Sequence, residues 1–193
     1  KSDCKLIHIS TDYVFDGDNG NGYMEDDPTG PLNAYGITKL EGEVLAMNEN
    51  PETIVIRTSW VYSFHGKNFV KTMMRLMQEK SEISVVDDQI GKPTYAADLA
   101  AAIFHIIFKA PVFVPGIYHY SNKGVISWHE FATAIKDIKG YSCVVHPIPS
   151  SAYPIPAKRP HYSILLTDKI ESVYGIIIPH WKDSLEKCLS LLS

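Results

Sequence analysis

The sequence predicts an α/β fold, in which part of a doubly wound parallel sheet is joined to a smaller α/β lobe. Short segments rich in β-branched residues alternate with longer segments whose apolar residues recur at helical spacing. Apolar residues make up 45% of the chain, which is enough for a sizeable core. Strands separated by helices pair in parallel, because each helix returns the chain to the same edge of the sheet.

The first third of the chain contains two predicted strands that flank one helix. Residues 5–10 read as a short buried strand, and a polar, glycine-rich loop follows them. A helix is expected over 34–47, with Asn33 in the approach to its N-terminus. Residues 53–58 (TIVIRT) are nearly all β-branched, which predicts the second strand.

The rest of the chain continues this alternation until a proline-rich segment interrupts it. Residues 147–160 contain five prolines and cannot keep a regular structure for long. The other predicted elements are helices at 68–80, 95–108, 127–138, 167–174 and 181–192, and strands at 83–86, 116–120 and 142–146.

Composition and charge argue against several classes of protein. The net charge of −4 comes without a long basic run, so no nucleic acid is expected as a partner. Cys4, Cys143 and Cys188 lie far apart, which fits a reducing compartment, and the histidines lack metal-ligand spacing. The longest apolar stretch, around 99–108, is too short for a membrane helix. We therefore expect a cytoplasmic protein that binds no membrane.

A tyrosine and a lysine, Tyr35 and Lys39, stand four residues apart at the start of the first predicted helix. Residues four apart share a helix face, so a plain surface pair is the simplest interpretation, and chance alone produces such a pair at this composition. The context favours another interpretation. Ser10, Thr11 and Asp12 end the preceding strand, and the carboxyl ends of parallel strands line ligand crevices.

These residue types suit the reduction of a carbonyl group. A carbonyl that accepts hydride becomes an alkoxide and needs a proton, which a phenol can donate. A free phenol has a pKa of ~10, and lowering it to ~7 requires roughly 4 kcal/mol of preferential phenolate stabilisation. An ammonium one helical turn away can supply much of this in a partly dehydrated crevice. A neighbouring hydroxyl can polarise the carbonyl.

Longer strings make the pattern more specific. They are STDYVFDG, YGITKL, RTSWVYS, VVDDQIGKPTYAADLA and KRPHYSILLTDKI. Together they resemble the extended short-chain dehydrogenase/reductases, and among these the dTDP-4-dehydrorhamnose reductase family, over residues 8–192. The resemblance implies a Rossmann-like sheet and a nucleotide-sugar-binding lobe. It also implies reduction of the 4-keto group of dTDP-4-dehydro-L-rhamnose to dTDP-L-rhamnose, with NADPH or NADH as cofactor, and leaves Mg²⁺ and a homodimer open.

The resemblance also implies roles for single residues. Tyr35 is expected to be the general acid, and Lys39 to assist it and bind the nicotinamide ribose, so that both contact the cofactor. Thr11 is expected to assist the substrate carbonyl, and Ser10 to lie at the cofactor. The residues implied as substrate contacts are Thr11, Asp12, Trp60, Asn68, Lys71 and Arg75.

Several of these residues have structural alternatives. Asp12 can cap the following turn, and Trp60 can belong to the core or its rim. Lys71 and Arg75 lie four apart and can form a solvated helix face. The loop at 87–94 corresponds to part of the family's nucleotide-sugar pocket, and the proline-rich segment is either a lid or a plain loop.

The family's phosphate-binding turn, Gly-x-x-Gly-x-x-Gly, is absent from this sequence. Gly17, Gly20 and Gly22 are not followed by a helix start, so we interpret them as a polar loop. The chain is either a C-terminal fragment, which we favour and expect to be nearly inactive alone, or a protein that cannot hold the cofactor. We expect 1–60 to complete a dinucleotide-binding domain and 61–193 to form mainly the substrate lobe, with segments returning to the sheet.

Two other functions stay open. An epimerase or dehydratase of the same superfamily would keep its NAD bound and recycle it, although RTSWVY and DQIGKPT favour the reductase. A non-catalytic regulatory subunit on the same fold is the other alternative. Retention of Tyr35, Lys39 and Thr11 argues against it.

Overall fold

The computed structural model describes residues 4–153 and 159–192, and helices alternate with strands along them. The helices are α1 (Ala34–Glu49), α2 (Phe69–Glu79), α3 (Ala96–Phe108), α4 (Trp128–Lys139), α5 (Asp168–Tyr174) and α6 (Trp181–Ser190). The longer strands are β1 (Leu6–Thr11), β2 (Thr53–Thr58), β4 (Glu82–Val86), β7 (Gly116–Tyr120) and β9 (Val144–Ile148). The two-residue strands are β3 (Val61–Tyr62), β5 (Ile90–Gly91), β6 (Thr94–Tyr95), β8 (Ile126–Ser127) and β10 (Tyr162–Ser163).

The central sheet contains β1, β2 and β7 in that order, and all three run parallel. The middle strand, β2, is buried along its whole length, whereas β1 forms an edge of the sheet among the described residues. Ser10, Arg57 and His119 are register partners and form one row across the sheet, one residue before Thr11. The carboxyl ends of the three strands therefore lie side by side.

Helices cover both faces of this sheet. On one face, α3 and α5 pack against Ile54 and Ile56 in a continuous apolar cluster. Because side chains alternate along a strand, Val55 and Arg57 point to the opposite face, which α1 covers. The third strand, β7, comes from the second half of the chain, so the two halves share one sheet.

A second apolar cluster lies between α2, α4, α6 and the parallel pair β4–β9. Its centre is aromatic, with Phe131 packed against Tyr62, Phe69 and Trp181. The elements of this lobe come before and after β7 in the chain, and the short strands β3 and β6 pair next to Trp60.

The helices and longer strands are confirmed with small shifts that have local causes, but β1, expected to be buried, is buried only at Ser10 and Thr11. Asn68, placed inside a helix by the sequence, instead caps α2. The strand expected to end at 146 continues through Pro147, which β9 tolerates because among the described residues it pairs only with β4. The two-residue strands were missed because they are too short to show an alternating pattern.

The first turn of α1 lies directly against the 3₁₀ turn Asp12–Val14 that follows β1. Asn33 caps the helix by accepting a hydrogen bond from the backbone N–H of Gly36 at 3.0 Å. A Cβ on Gly36 would fall well inside van der Waals contact of the Tyr13 carbonyl oxygen. Glycine is therefore required at this position for α1 to approach the turn so closely.

Replacing Gly36 with alanine tests this approach. Alanine normally stabilises a helix by up to ~1 kcal/mol relative to glycine. We expect Gly36→Ala instead to lower the free energy of unfolding by roughly 1–3 kcal/mol, because its methyl group must push α1 away from Tyr13. Denaturant unfolding measures the change.

Gly42→Ala in the same helix is the matched control. A Cβ there has His8 Nε2 as its nearest neighbour at 3.6 Å, which is an ordinary contact, so this variant should be stabilised. Equal effects of the two substitutions would contradict the close approach of α1 to the turn.

Candidate active site

Thr11 is the last residue of β1 and lies next to the polar residue Asp12, which begins the 3₁₀ turn. Its buried hydroxyl oxygen accepts a hydrogen bond from the backbone N–H of Tyr13 at 3.3 Å and thereby caps the 3₁₀ turn. The same hydroxyl donates to Asp12 Oδ1 at 2.9 Å. The sequence left open that Asp12 caps this turn, but the capping residue is Thr11.

The Asp12 carboxyl is only 4% exposed, and burial raises its pKa to about 6. The nearby hydroxyls of Ser163 and Thr11 oppose this shift without cancelling it. Asp12 Oδ2 has no hydrogen-bond partner among the residues that the structure describes. The site thus contains a buried carboxyl whose pKa is raised and which the hydroxyls of Thr11 and Ser163 approach.

Lys39 and Tyr35 lie on successive turns of α1, beside the end of β1. Lys39 Nζ donates a hydrogen bond to the backbone carbonyl of Ile9 at 2.6 Å, which uses one of its three N–H groups. The Tyr35 ring is 54% exposed and meets the Tyr13 ring edge-on, with 5.6 Å between centroids. The structure therefore places both residues next to the segment that begins at Thr11.

Trp60 has φ of +47°, and no other described residue except glycine has a positive φ. Its ring stacks on Trp128 with 3.6 Å between centroids, and a Cβ on Gly91 would collide with it. Left-handed backbone costs a bulky residue on the order of 1–3 kcal/mol. The surrounding structure thus holds this indole in one orientation between the central sheet and the second lobe.

Three of the expected substrate contacts, Asn68, Lys71 and Arg75, already have partners in or near α2. Asn68 caps the helix by accepting from the Lys71 N–H at 3.2 Å, and Lys71 Nζ donates to the Phe64 carbonyl at 3.3 Å. Arg75 forms an exposed ion pair with Glu79 at 2.7 Å. Arg75 thus lies on a solvated face, which was the structural alternative for it.

The loop at 87–94 is held firmly by both of its aspartates. Asp87 accepts a hydrogen bond from the Ser127 hydroxyl at 2.6 Å, and Asp88 accepts from the Ser150 hydroxyl at 2.9 Å. Lys92 is buried, which lowers its pKa, and its Nζ donates to the Leu165 carbonyl at 2.9 Å. Of the proline-rich segment, residues 154–158 lie outside the described residues.

Several polar residues near Thr11 and Tyr35 were not predicted from the sequence. Tyr13 packs against Tyr35, and Ser163 lies near Asp12. Glu43, two turns after Tyr35 on α1, forms a fully buried ion pair with Arg57 of β2. The spacing of four residues places Glu43 on the same face of α1 as Lys39, but nothing in the sequence pairs it with Arg57. Ser10 is buried, and its hydroxyl has no partner among the described residues.

The described residues can be searched for a metal site and for a membrane-spanning helix. Within residues 4–153 and 159–192, no group of three or more His, Cys, Asp or Glu side chains is arranged to hold a metal ion, so Mg²⁺ gains no support here. None of the helices in this part is both long and apolar enough to cross a membrane.

Residues 1–193 match the family model described as RmlD substrate binding domain. The chain belongs to this family. It is 43% identical over 190 residues to a dTDP-4-dehydrorhamnose reductase of Sinorhizobium fredii, covering 94% of this chain and 64% of the relative. It is 45% identical over 185 residues to the spore coat polysaccharide biosynthesis protein SpsK of Bacillus subtilis, covering 96% of this chain and 64% of the relative.

Solved structures confirm the Rossmann-like α/β fold. A dTDP-4-dehydrorhamnose reductase of Clostridium acetobutylicum superimposes with a TM-score of 0.93 at 41% identity, covering 97% of this chain and 66% of that one. The Bacillus anthracis reductase in complex with NADP gives 0.92 at 41%, covering 96% and 65%. A dTDP-glucose 4,6-dehydratase at 16% identity shares the fold alone. This chain spans slightly less than two thirds of the length of these reductases.

The raised pKa of Asp12 predicts a specific pH dependence of stability. Because the folded state disfavours the charged carboxylate, the contribution of Asp12 to stability is fully present below pH ~4 and is lost as the pH rises through about 6. The Asp12→Asn variant does not lose this contribution, because an asparagine side chain cannot ionise. Its free energy of unfolding should rise by up to ~3 kcal/mol relative to that of the native protein between pH 4 and pH 7.5.

Denaturant unfolding at both pH values measures this difference. Asp26→Asn, at an exposed position, is the control and should show the same difference from the native protein at both pH values. A difference for Asp12→Asn that does not change with pH would contradict the burial of the carboxyl.

Proposed function

We propose that the full-length protein carrying this chain reduces the 4-keto group of dTDP-4-dehydro-L-rhamnose to dTDP-L-rhamnose with NADPH or NADH. The observation that carries the proposal is the arrangement of Tyr35 and Lys39, with Lys39 fixed to β1 and Tyr35 beside Tyr13. The names of the relatives support the substrate, and the NADP complex of one relative supports the cofactor.

The residues present fit the nicotinamide end of the cofactor. Lys39 uses one N–H on Ile9, which leaves the others for ribose hydroxyls, and the buried Ser10 hydroxyl has no partner among the described residues. The bound cofactor supplies the hydride that is added to C4. The sequence holds no phosphate-binding turn, so this fit concerns only the nicotinamide ribose.

In this mechanism Tyr35 donates its phenolic proton to the oxygen at C4, where negative charge develops as the hydride arrives. The Lys39 ammonium stabilises the negative charge left on the phenol. Thr11 has a single hydroxyl proton, which it donates to Asp12 Oδ1. Thr11 can therefore polarise the substrate carbonyl only by exchanging that hydrogen bond for one to the substrate.

We also propose the division of labour between the two parts of the chain. Residues 1–60 supply β1, α1 and β2 with the proposed catalytic residues, and 61–193 supply mainly the nucleotide-sugar lobe, although β7 returns to the central sheet. Asp12 and Trp60 remain proposed substrate contacts at the junction. Asn68, Lys71 and Arg75 remain proposals as well. The Asn68 amide is already engaged through both its oxygen and its nitrogen, whereas the Lys71 ammonium and the Arg75 guanidinium each use one N–H group in these contacts and keep others.

An epimerase or dehydratase is the second candidate, and a regulatory subunit is the third. Solved epimerases at 21% identity share only the fold, and no particular contact favours them over the reductase. A homodimer likewise stays a prediction. Measuring the consumption of the keto-sugar together with cofactor oxidation separates the two enzymes, because an epimerase causes no net oxidation of NADPH.

Replacing Tyr35 with phenylalanine tests the proposed acid. In the full-length protein, Tyr35→Phe should lower kcat by ~10²–10⁴-fold, because the variant has no proton to donate. The KM for the nucleotide sugar should change little, since the ring remains. Steady-state NADPH oxidation measures both constants.

Tyr141→Phe, in the second lobe, is the control and should keep the native kcat. Tyr35→Phe with native turnover would show that another group supplies the proton.

A further inference from the structure

We propose that the buried ion pair between Glu43 and Arg57 positions α1. It fixes the rotation of the helix about its axis and its position along that axis, and thereby the positions of Tyr35 and Lys39. This inference rests on the proposed function, because it concerns the same two residues. Glu43 and Arg57 are positioning residues, since they act through α1 and do not touch the reacting atoms.

The pair is both directional and closed to solvent. Arg57 Nη2 donates to Glu43 Oε2 at 2.7 Å, and Arg57 Nε donates to Glu43 Oε1 at 3.0 Å. The two side chains are 2% and 1% exposed. A forked, two-bond contact fixes the relative orientation of the two groups as well as their distance.

Glu43 continues the stripe of α1 that carries the proposed catalytic residues. Tyr35, Lys39 and Glu43 are spaced by four residues, so each is turned by only ~40° from the one before it, and Glu43 lies roughly 12 Å along the axis from Tyr35. A rotation of α1 at Glu43 therefore moves Lys39 and Tyr35 in the same sense. The ion pair is placed to prevent that rotation.

Arg57 connects Glu43 of α1 to the part of the central sheet that lies beside Ser10 and Thr11. It is the register partner of Ser10, one residue before Thr11. Its Nη1 also donates to the Glu25 carbonyl at 3.3 Å, and its guanidinium lies 5.0 Å above the Phe15 ring. One cation thus holds α1, β2 and the segment after the 3₁₀ turn in a single arrangement.

Stability alone is a poor explanation for this pair. Removing two charges from water is costly, and buried ion pairs can often be replaced by apolar residues of similar volume without loss of stability. Apolar side chains would, however, allow α1 to slide and rotate, because their contacts have no direction. The forked contact supplies the direction that the site needs.

The test compares three variants of the full-length protein. Glu43→Met together with Arg57→Met replaces the pair by apolar residues, and Arg57→Lys keeps the charge but loses the fork. Lys123→Gln with Glu171→Gln removes an ion pair that does not touch α1 and is the control. Circular dichroism establishes folding, and steady-state kinetics give kcat and KM.

We expect the double methionine variant to fold and to lose 10–100-fold in kcat, with KM for the nucleotide sugar within about threefold of native. Arg57→Lys should lose at least fivefold in kcat, and the glutamine control should keep the native value. A merely structural pair would leave the kcat of folded molecules unchanged.

Native kcat in either Arg57 variant would overturn the proposal, so Arg57→Lys decides the question if the double variant does not fold. Tyr35→Phe is assayed beside them. If Tyr35→Phe retains turnover, the proposed function fails. If Tyr35→Phe loses turnover while either Arg57 variant keeps the native kcat, only the positioning role fails.

Discussion

The close seating of α1 on the edge of the central sheet is the constraint on which the candidate site depends. Three contacts on successive turns of α1 produce it: Gly36 against the Tyr13 carbonyl, Lys39 on the Ile9 carbonyl, and Glu43 on Arg57. Each involves a different requirement, namely the absence of a side chain, a single cation and a forked ion pair. Together they leave α1 little freedom to move relative to β1, so Tyr35 lies beside the segment that follows Thr11.

Features that cost stability are concentrated near the carboxyl ends of β1 and β2, where the central sheet meets the second lobe. Asp12 is buried with one unpartnered oxygen among the described residues, the Glu43–Arg57 pair is removed from water, and Trp60 has a left-handed backbone. Groups of this kind persist when the surrounding structure fixes them, and they are common where a protein binds or transforms a ligand. The apolar clusters on either side of the junction provide the stability that tolerates them.

The fold and part of the site could be predicted because their signals are local. The alternation of elements follows from periodicity, and Tyr35 and Lys39 follow from a spacing read together with the preceding strand. The Glu43–Arg57 pair could not be predicted in this way, because it joins a helix to a strand and charged residues usually lie at the surface. The positive φ of Trp60 depends on Gly91 and Trp128, which are distant in sequence. Likewise, Asn68 is identified as a cap only when α2 is seen to begin after it.

The most direct test of the account is a double-mutant cycle on kcat between Lys39 and Tyr35 in the full-length protein. If the ammonium acts through the phenol, Lys39→Met lowers kcat strongly when Tyr35 is present and has little further effect on kcat in the Tyr35→Phe background. If Lys39→Met lowers kcat by the same factor in both backgrounds, the two residues act independently, and the proposed coupling between the cation and the proton donor is wrong.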